Sequence, residues 1–148
     1  MKRLYLQLLT GITMLLLLGL SSCADSFESE DLVGAWQGVS MTGWVKVNGQ
    51  IVEEWDETAD DQKIVFNSNG TYQTYEKFYN SWQVDITEGT YSIKGKKLYL
   101  DEGDGDDYYV TIKSLTSDEL ILESNDTFTE DGTKYEEYAH GEYRRVSE

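Results

Sequence analysis

Proline is absent from all 148 residues, and cysteine and histidine occur once each. Without proline no extended run loses a ladder donor to an imide nitrogen, so every run is eligible for a sheet interior. With Cys23 as the only cysteine, no internal disulfide can form even in an oxidising compartment, and the fold must hold by packing. Basic residues are scarce as well, 12 against 28 acids for a formal charge of −16. A field of that sign repels phosphate backbones and excludes nucleic acid as a natural partner, while it attracts cationic ligands, proteins or divalent ions. Solubility alone also accounts for such a charge. Sustained helical periodicity, repeats of solenoid length and signs of a second domain are all missing.

What is present begins at the N-terminus. Lys2 and Arg3 precede an apolar stretch from Leu4 to Leu20, followed by Ser21-Ser22-Cys23-Ala24. This is a secretory signal layout, a positive start, a Leu-rich segment and small residues at a cleavage site. A retained transmembrane helix is the poorer reading, because the stretch is short for a span and carries Gln7, Thr10 and Thr13. Leu20-Ser21-Ser22-Cys23 resembles the lipobox of bacterial lipoproteins. The resemblance implies cleavage before Cys23, lipidation of Cys23 and anchoring to the outer membrane, since several acyl chains on one residue hold firmly. Residues 1–22 are then a signal peptide, and losing Lys2 and Arg3 takes the formal charge from −16 to −18. Residues 23–31 read as a lipidated acidic tether, expected to be flexible. Its acids also resemble the surface-export signals of some Gram-negative lipoproteins.

Residues 32–148 read as one all-β domain. Short aromatic and β-branched runs alternate with polar residues and are punctuated by Gly, Asn and Asp. Asn48-Gly49 predicts a hairpin between Trp44–Val47 and Gln50–Val52, because a type I′ turn needs positive φ at both central residues. Asn67–Gly70 turns Lys63–Phe66 into Thr71–Tyr75. Further strands are expected over 81–86, 89–94, 97–100, 108–112 and 119–122, with a last one from about Lys134 to Arg145. Ile64 and Phe66, Tyr91 and Ile93, Leu98 and Leu100, Val110 and Ile112, and Leu120 and Leu122 each share a face, which predicts one apolar interior. About eight sequential strands with one apolar face suit a closed antiparallel up-and-down barrel; a two-sheet β-sandwich is the rival.

Leu32-Val33-Gly34-Ala35-Trp36 carries the Gly-x-Trp of a first lipocalin strand. With Asn69-Gly70-Thr71-Tyr72, Gly89-Thr90-Tyr91-Ser92-Ile93, Leu98-Tyr99-Leu100 and Tyr143-Arg144-Arg145, the chain from Leu32 to Val146 resembles the bacterial lipocalin-like lipoproteins. The second lipocalin motif has no clear counterpart. The resemblance implies that Gly34, Trp36 and a last-strand arginine close one barrel end; Arg145 is favoured over Arg144 because it shares a face with Tyr143. With that fold, a surplus of aromatics over what a small core demands points to a small apolar or sugar-like ligand in or at the mouth, where Tyr72, Trp82 and Tyr91 are the candidate ligand-binding residues, and a monomer is expected. The competing reading is a cell-surface interaction module engaging an envelope protein, with no ligand inside.

Catalysis finds little support. A lone histidine, His140, and a lipidated cysteine leave no Ser/His/Asp or Cys/His nucleophile, and no cofactor motif is present. A pair of carboxylates remains the one enzymatic alternative. Asp101-Glu102-Gly103-Asp104-Gly105-Asp106-Asp107 is dense enough in acids for a hard cation but lacks EF-hand spacing, and reads as a solvated loop. Asn69-Gly70-Thr71 and Asn125-Asp126-Thr127 match the glycosylation acceptor pattern and read here as turns.

Overall fold

The computed structural model describes residues 26–85, 88–103 and 108–147; the signal segment, Cys23 and part of the acidic loop lie outside that range. Among the described residues there are ten strands: β1 (Gly34–Val47), β2 (Gln50–Thr58), β3 (Gln62–Phe66), β4 (Thr71–Phe78), β5 (Ser81–Val84), β6 (Gly89–Lys94), β7 (Lys97–Asp101), β8 (Tyr108–Leu115), β9 (Glu119–Glu130) and β10 (Thr133–Val146). A short helix, α1 (Ser29–Leu32), leads directly into β1.

The sheet closes on itself, because β10 pairs with β1 antiparallel from Ala35↔Val146 to Val47↔Tyr135. That closure makes it a barrel and not a sandwich. Eight positions surround the axis, and two are filled by interrupted strands. β2 and β3 both run back along β1, from Val47↔Gln50 to Ser40↔Thr58 and then from Gln37↔Lys63 to Gly34↔Phe66. The break at Ala59 is stitched by its amide to the Val39 carbonyl (3.2 Å) and by the Gln62 amide to the Ala59 carbonyl (3.0 Å). β5 and β6 share β4 in the same way, through Phe78↔Ser81 and then Tyr72↔Gly89.

Turn chemistry explains the local geometry. Asn48 (φ 51°) and Gly49 (φ 82°) make the expected type I′ hairpin, and Asp131-Gly132 (φ 49° and 80°) joins β9 to β10 by the same means. At Asn69 the side-chain oxygen accepts from both the amide (3.1 Å) and the hydroxyl (2.7 Å) of Thr71. The other acceptor-pattern site is no turn. Asn125-Asp126-Thr127 continues β9, paired to Tyr138, Glu137 and Glu136 of β10, because the strand runs eight residues beyond the expected Leu122.

The five pairs expected to share a face do turn inward. Phe66, Tyr91, Leu98, Leu100, Ile112, Leu120 and Leu122 are buried, and Ile64, Ile93 and Val110 pack against them. Each large side chain removed from water contributes about 1.5–3 kcal/mol before entropy. The segment expected as a free tether is docked from Phe27 onward. The Phe27 amide donates to the Gly95 carbonyl (3.0 Å), its ring packs against the core, and Leu32 is fully buried. Two apolar residues among the acids suffice to seat the segment on one end of the barrel.

Candidate functional site

That end is closed by a compact arrangement around Trp36. The ring is fully buried, and its Nε1–H donates to the Leu32 carbonyl at 2.8 Å. The Arg145 guanidinium carbon lies 4.2 Å from the ring centroid. Its Nε, Nη1 and Nη2 donate to the carbonyls of Ser117 (2.6 Å), Val33 (2.6 Å) and Asp31 (2.7 Å). Arg144 points outward, with Nη2 3.5 Å from the Gln37 amide oxygen. Gly34 sits under the guanidinium with φ 131°, and a Cβ there would lie 2.5 Å from Arg145 Nη1. Only glycine satisfies both that backbone and that approach.

The opposite end is open. A cavity of about 180 Å³ lies there, lined by Met41, Ile64, Leu100, Val110 and Leu122, with Tyr108 and Tyr143 supplying phenol groups. This exceeds the roughly 150 Å³ that accommodates benzene in an engineered core. It falls below the roughly 300–1,000 Å³ of pockets for drug-sized ligands. The interior is thus largely filled, with room for a fragment-sized molecule or for one end of a longer one.

Beside this cavity sits an unusual hydroxyl. Tyr72 is 1% exposed, and its hydroxyl is buried beside that of Tyr108 without a hydrogen bond of full geometry. Burial first, then the neighbouring Tyr108, then the Glu102 and Asp101 carboxylates, push its pKa above the usual tyrosine value. A buried donor left unsatisfied costs about 1–3 kcal/mol, so the position is one that a bound polar group would improve. Gly89 creates the space, since a Cβ there would lie 2.3 Å from the Tyr72 ring. Tyr143 is raised similarly, by burial and then by Tyr108.

The three residues proposed for ligand binding do not converge. Tyr72 is inward and beside the open end. Tyr91 is inward as well, but belongs to the core: its hydroxyl donates to the Asn67 carbonyl (2.9 Å) and its ring meets Phe66 edge-on at 5.0 Å. Trp82 faces outward on β5, opposite Lys77, with Lys63 Nζ 5.0 Å and Lys77 Nζ 6.0 Å from its ring. Tyr108 and Tyr143, which line the cavity, are not among the three candidates, although parity points to both: Tyr108 shares a face with Val110 and Ile112, and Tyr143 with Arg145.

A family model described as a lipocalin-like domain matches residues 32–122, more than half of the chain. The chain belongs to the lipocalin-like family. No curated protein matches it. In this lipocalin-like domain the matched span runs from Leu32, the last residue of α1, through Leu122 on the cavity wall. It covers Gly34 and Trp36 at the closed end and Tyr72 near the open one. The family's barrel is a binding scaffold, and what it binds is set by the side chains it presents.

Glu123, Ser124 and His140 add polar groups to the mainly apolar lining of the lipocalin-like cavity. Glu123 collects Lys113 Nζ (3.0 Å), the Tyr138 hydroxyl (3.1 Å) and His140 Nδ1 (3.4 Å), while His140 Nε2 lies 3.5 Å from Glu142. Among the described residues no group of three or more His, Cys, Asp or Glu is arranged to hold a metal. Asp104 to Asp107 of the acidic loop lie outside the described residues.

Proposed function

We propose that this chain is an exported, lipid-anchored binding protein, attached to the outer membrane through Cys23, whose barrel takes a small, mainly apolar molecule at its open end. One observation carries the binding half: an apolar cavity bordered by phenol groups, with the buried, unsatisfied Tyr72 hydroxyl beside it. An empty apolar space in an otherwise close-packed interior forfeits dispersion contacts that a ligand restores. A ligand with a hydrogen-bonding group as well as an apolar body answers both features.

The anchoring half is supported by the lipobox resemblance of Leu20-Ser21-Ser22-Cys23 and by the docking of Phe27 on the barrel. Phe27 is fastened to the closed end of the barrel, and the four steps from Cys23 to Phe27 reach at most about 14 Å. A lipid on Cys23 therefore holds the closed end against the membrane and directs the open end away from it. The fold's mouth then faces whatever the compartment supplies.

Native mass spectrometry of the protein purified from its own envelope tests the ligand. A reproducible adduct is expected, and it should disappear in Leu122→Trp, which fills the cavity; adduct-free preparations of both would end the reading. Radiolabelled palmitate tests the anchor independently: label should enter the wild-type chain and be absent from Cys23→Ala.

A further inference from the structure

Among the described residues, strand β2 forms an edge. β1 is the neighbour it is hydrogen-bonded to, and it ends the strand order of the sheet. β4 pairs with β3 and never reaches it. Unpaired backbone donors and acceptors along an edge are a template for another strand. Eight of its nine residues are exposed, Trp55 being the half-buried one.

The chemistry of this edge is one-sided. Glu53, Glu54, Asp56 and Glu57 are acidic and no residue of β2 is basic. Such an edge repels a second copy of itself, since like charges directly opposite across a strand pair are unfavourable. Pure solubilisation does not explain Ile51 and Val52, which are 54% and 60% exposed. β-branched side chains on a strand favour pairing.

The outer face next to the edge is equally specific. Cross-strand register aligns Glu54, Trp44, Tyr138 and Asn125 in one row and Asp56, Thr42, His140 and Glu123 in the next. Trp44 stacks on Tyr138 at 5.8 Å. A cleft of about 570 Å³ runs along Glu54, Asp56, Trp44 and Tyr138. That the indole takes an ammonium is already visible within the chain, because Lys46 Nζ lies 4.0 Å from the Trp44 ring centroid.

We propose that the free edge of β2 docks an extended, lysine- or arginine-bearing segment of a partner protein. The segment adds as a strand, its backbone pairs with β2, and its basic side chains meet Glu54 and Asp56 beside Trp44. Main-chain hydrogen bonds supply affinity in such additions and side-chain pockets supply specificity. Charge complementarity adds speed of encounter and register. The inference is independent of what the barrel interior binds.

The test uses the full-length protein in detergent and a nine-residue peptide alternating lysine and threonine. Its control is the same sequence with every threonine in the D configuration, which keeps the charge and cannot form a regular strand. The all-L peptide should bind with amide shifts concentrated on Gln50–Thr58, and Glu54→Lys/Asp56→Lys should weaken it about tenfold or more. Glu88→Lys/Glu102→Lys changes the net charge identically away from the edge and should leave affinity within about twofold. Circular dichroism confirms that both double variants fold. Equal binding of the two peptides, or equal loss in the two double variants, overturns the proposal in favour of diffuse attraction. Self-association of the protein alone that Glu54→Lys/Asp56→Lys alters would assign the edge to a second copy instead.

Discussion

Arg145 and Trp36, 109 residues apart in the chain, meet with the guanidinium carbon 4.2 Å from the ring centroid and shut one end of the barrel. The guanidinium's three donated hydrogen bonds fix its plane, so cation–π attraction and carbonyl capping act on one rigid group. Arg145→Ala is expected to cost about 2–3 kcal/mol, combining a cation–π contact with hydrogen bonds made by a charged donor. Arg145→Lys should recover less than half, because an ammonium lacks the planar fork that reaches three carbonyls. Urea unfolding of the three proteins measures this.

Gly34→Ala should be destabilising by about 1–3 kcal/mol through its positive φ alone, and further through the Cβ placed against Arg145. The second part should vanish in an Arg145→Ala background. A double-mutant cycle separates the two, and strict additivity would show that the close approach carries no energy.

Tyr72→Phe removes a buried hydroxyl that makes no hydrogen bond of full geometry. Ligand-free protein should be unchanged or slightly more stable, by up to about 1 kcal/mol. Binding at the open end should weaken in the same variant. Gly89→Ala forces the Tyr72 ring to move and should cost about 1–3 kcal/mol. Thermal denaturation with and without the ligand found by mass spectrometry distinguishes these effects.

Burial raises the pKa of Tyr72, Tyr91 and Tyr143 above their ordinary value of 10.0. In the native state these phenols hold their protons where the unfolded chain releases them. Their contribution to stability is thus complete below pH 10 and declines as pH rises from there through the folded values. Absorbance titration near 295 nm should show a late, unfolding-coupled fraction of tyrosine ionisation. Replacing Tyr143 by Phe should shrink it.

Glu123 behaves in the opposite sense. The Lys113 ammonium chiefly, helped by the Tyr138 hydroxyl and His140, lowers its pKa below the ordinary 4.5 against the effect of burial. The stability it contributes is present above 4.5 and is lost as pH falls through the folded value. Glu123→Gln should flatten the acid limb of the stability curve, as followed by urea midpoints between pH 3 and pH 8.

Much of the barrel was legible because its signals are local. Period-two alternation marked strands whose inner faces hold Phe66, Leu98, Ile112 and Leu120, and Asn48-Gly49 marked a hairpin through backbone angles that asparagine and glycine tolerate. The span of β9 was not legible past Leu122, since its polar continuation, Glu123 to Glu130, is held by pairing with β10 and has no apolar face of its own. The same limit applies to Trp82. Within a strand, parity gives two faces, but which face is inner depends on the partner, and pairing with Lys77 turns Trp82 outward.

By itself the sequence determined an all-β, disulfide-free, acidic domain with a Gly-x-Trp opening and an arginine near its end, because composition, alternation and turn residues act over a few neighbours. Tertiary structure decided what depends on register between distant segments. It closed β1 onto β10, laid Arg145 on Trp36, separated Tyr72, Tyr91 and Trp82 into three environments, gathered Tyr108 and Tyr143 around a small cavity and left β2 as a bare acidic edge. A shift of one residue in pairing exchanges every inward and outward side chain, and no local pattern encodes which pairing prevails.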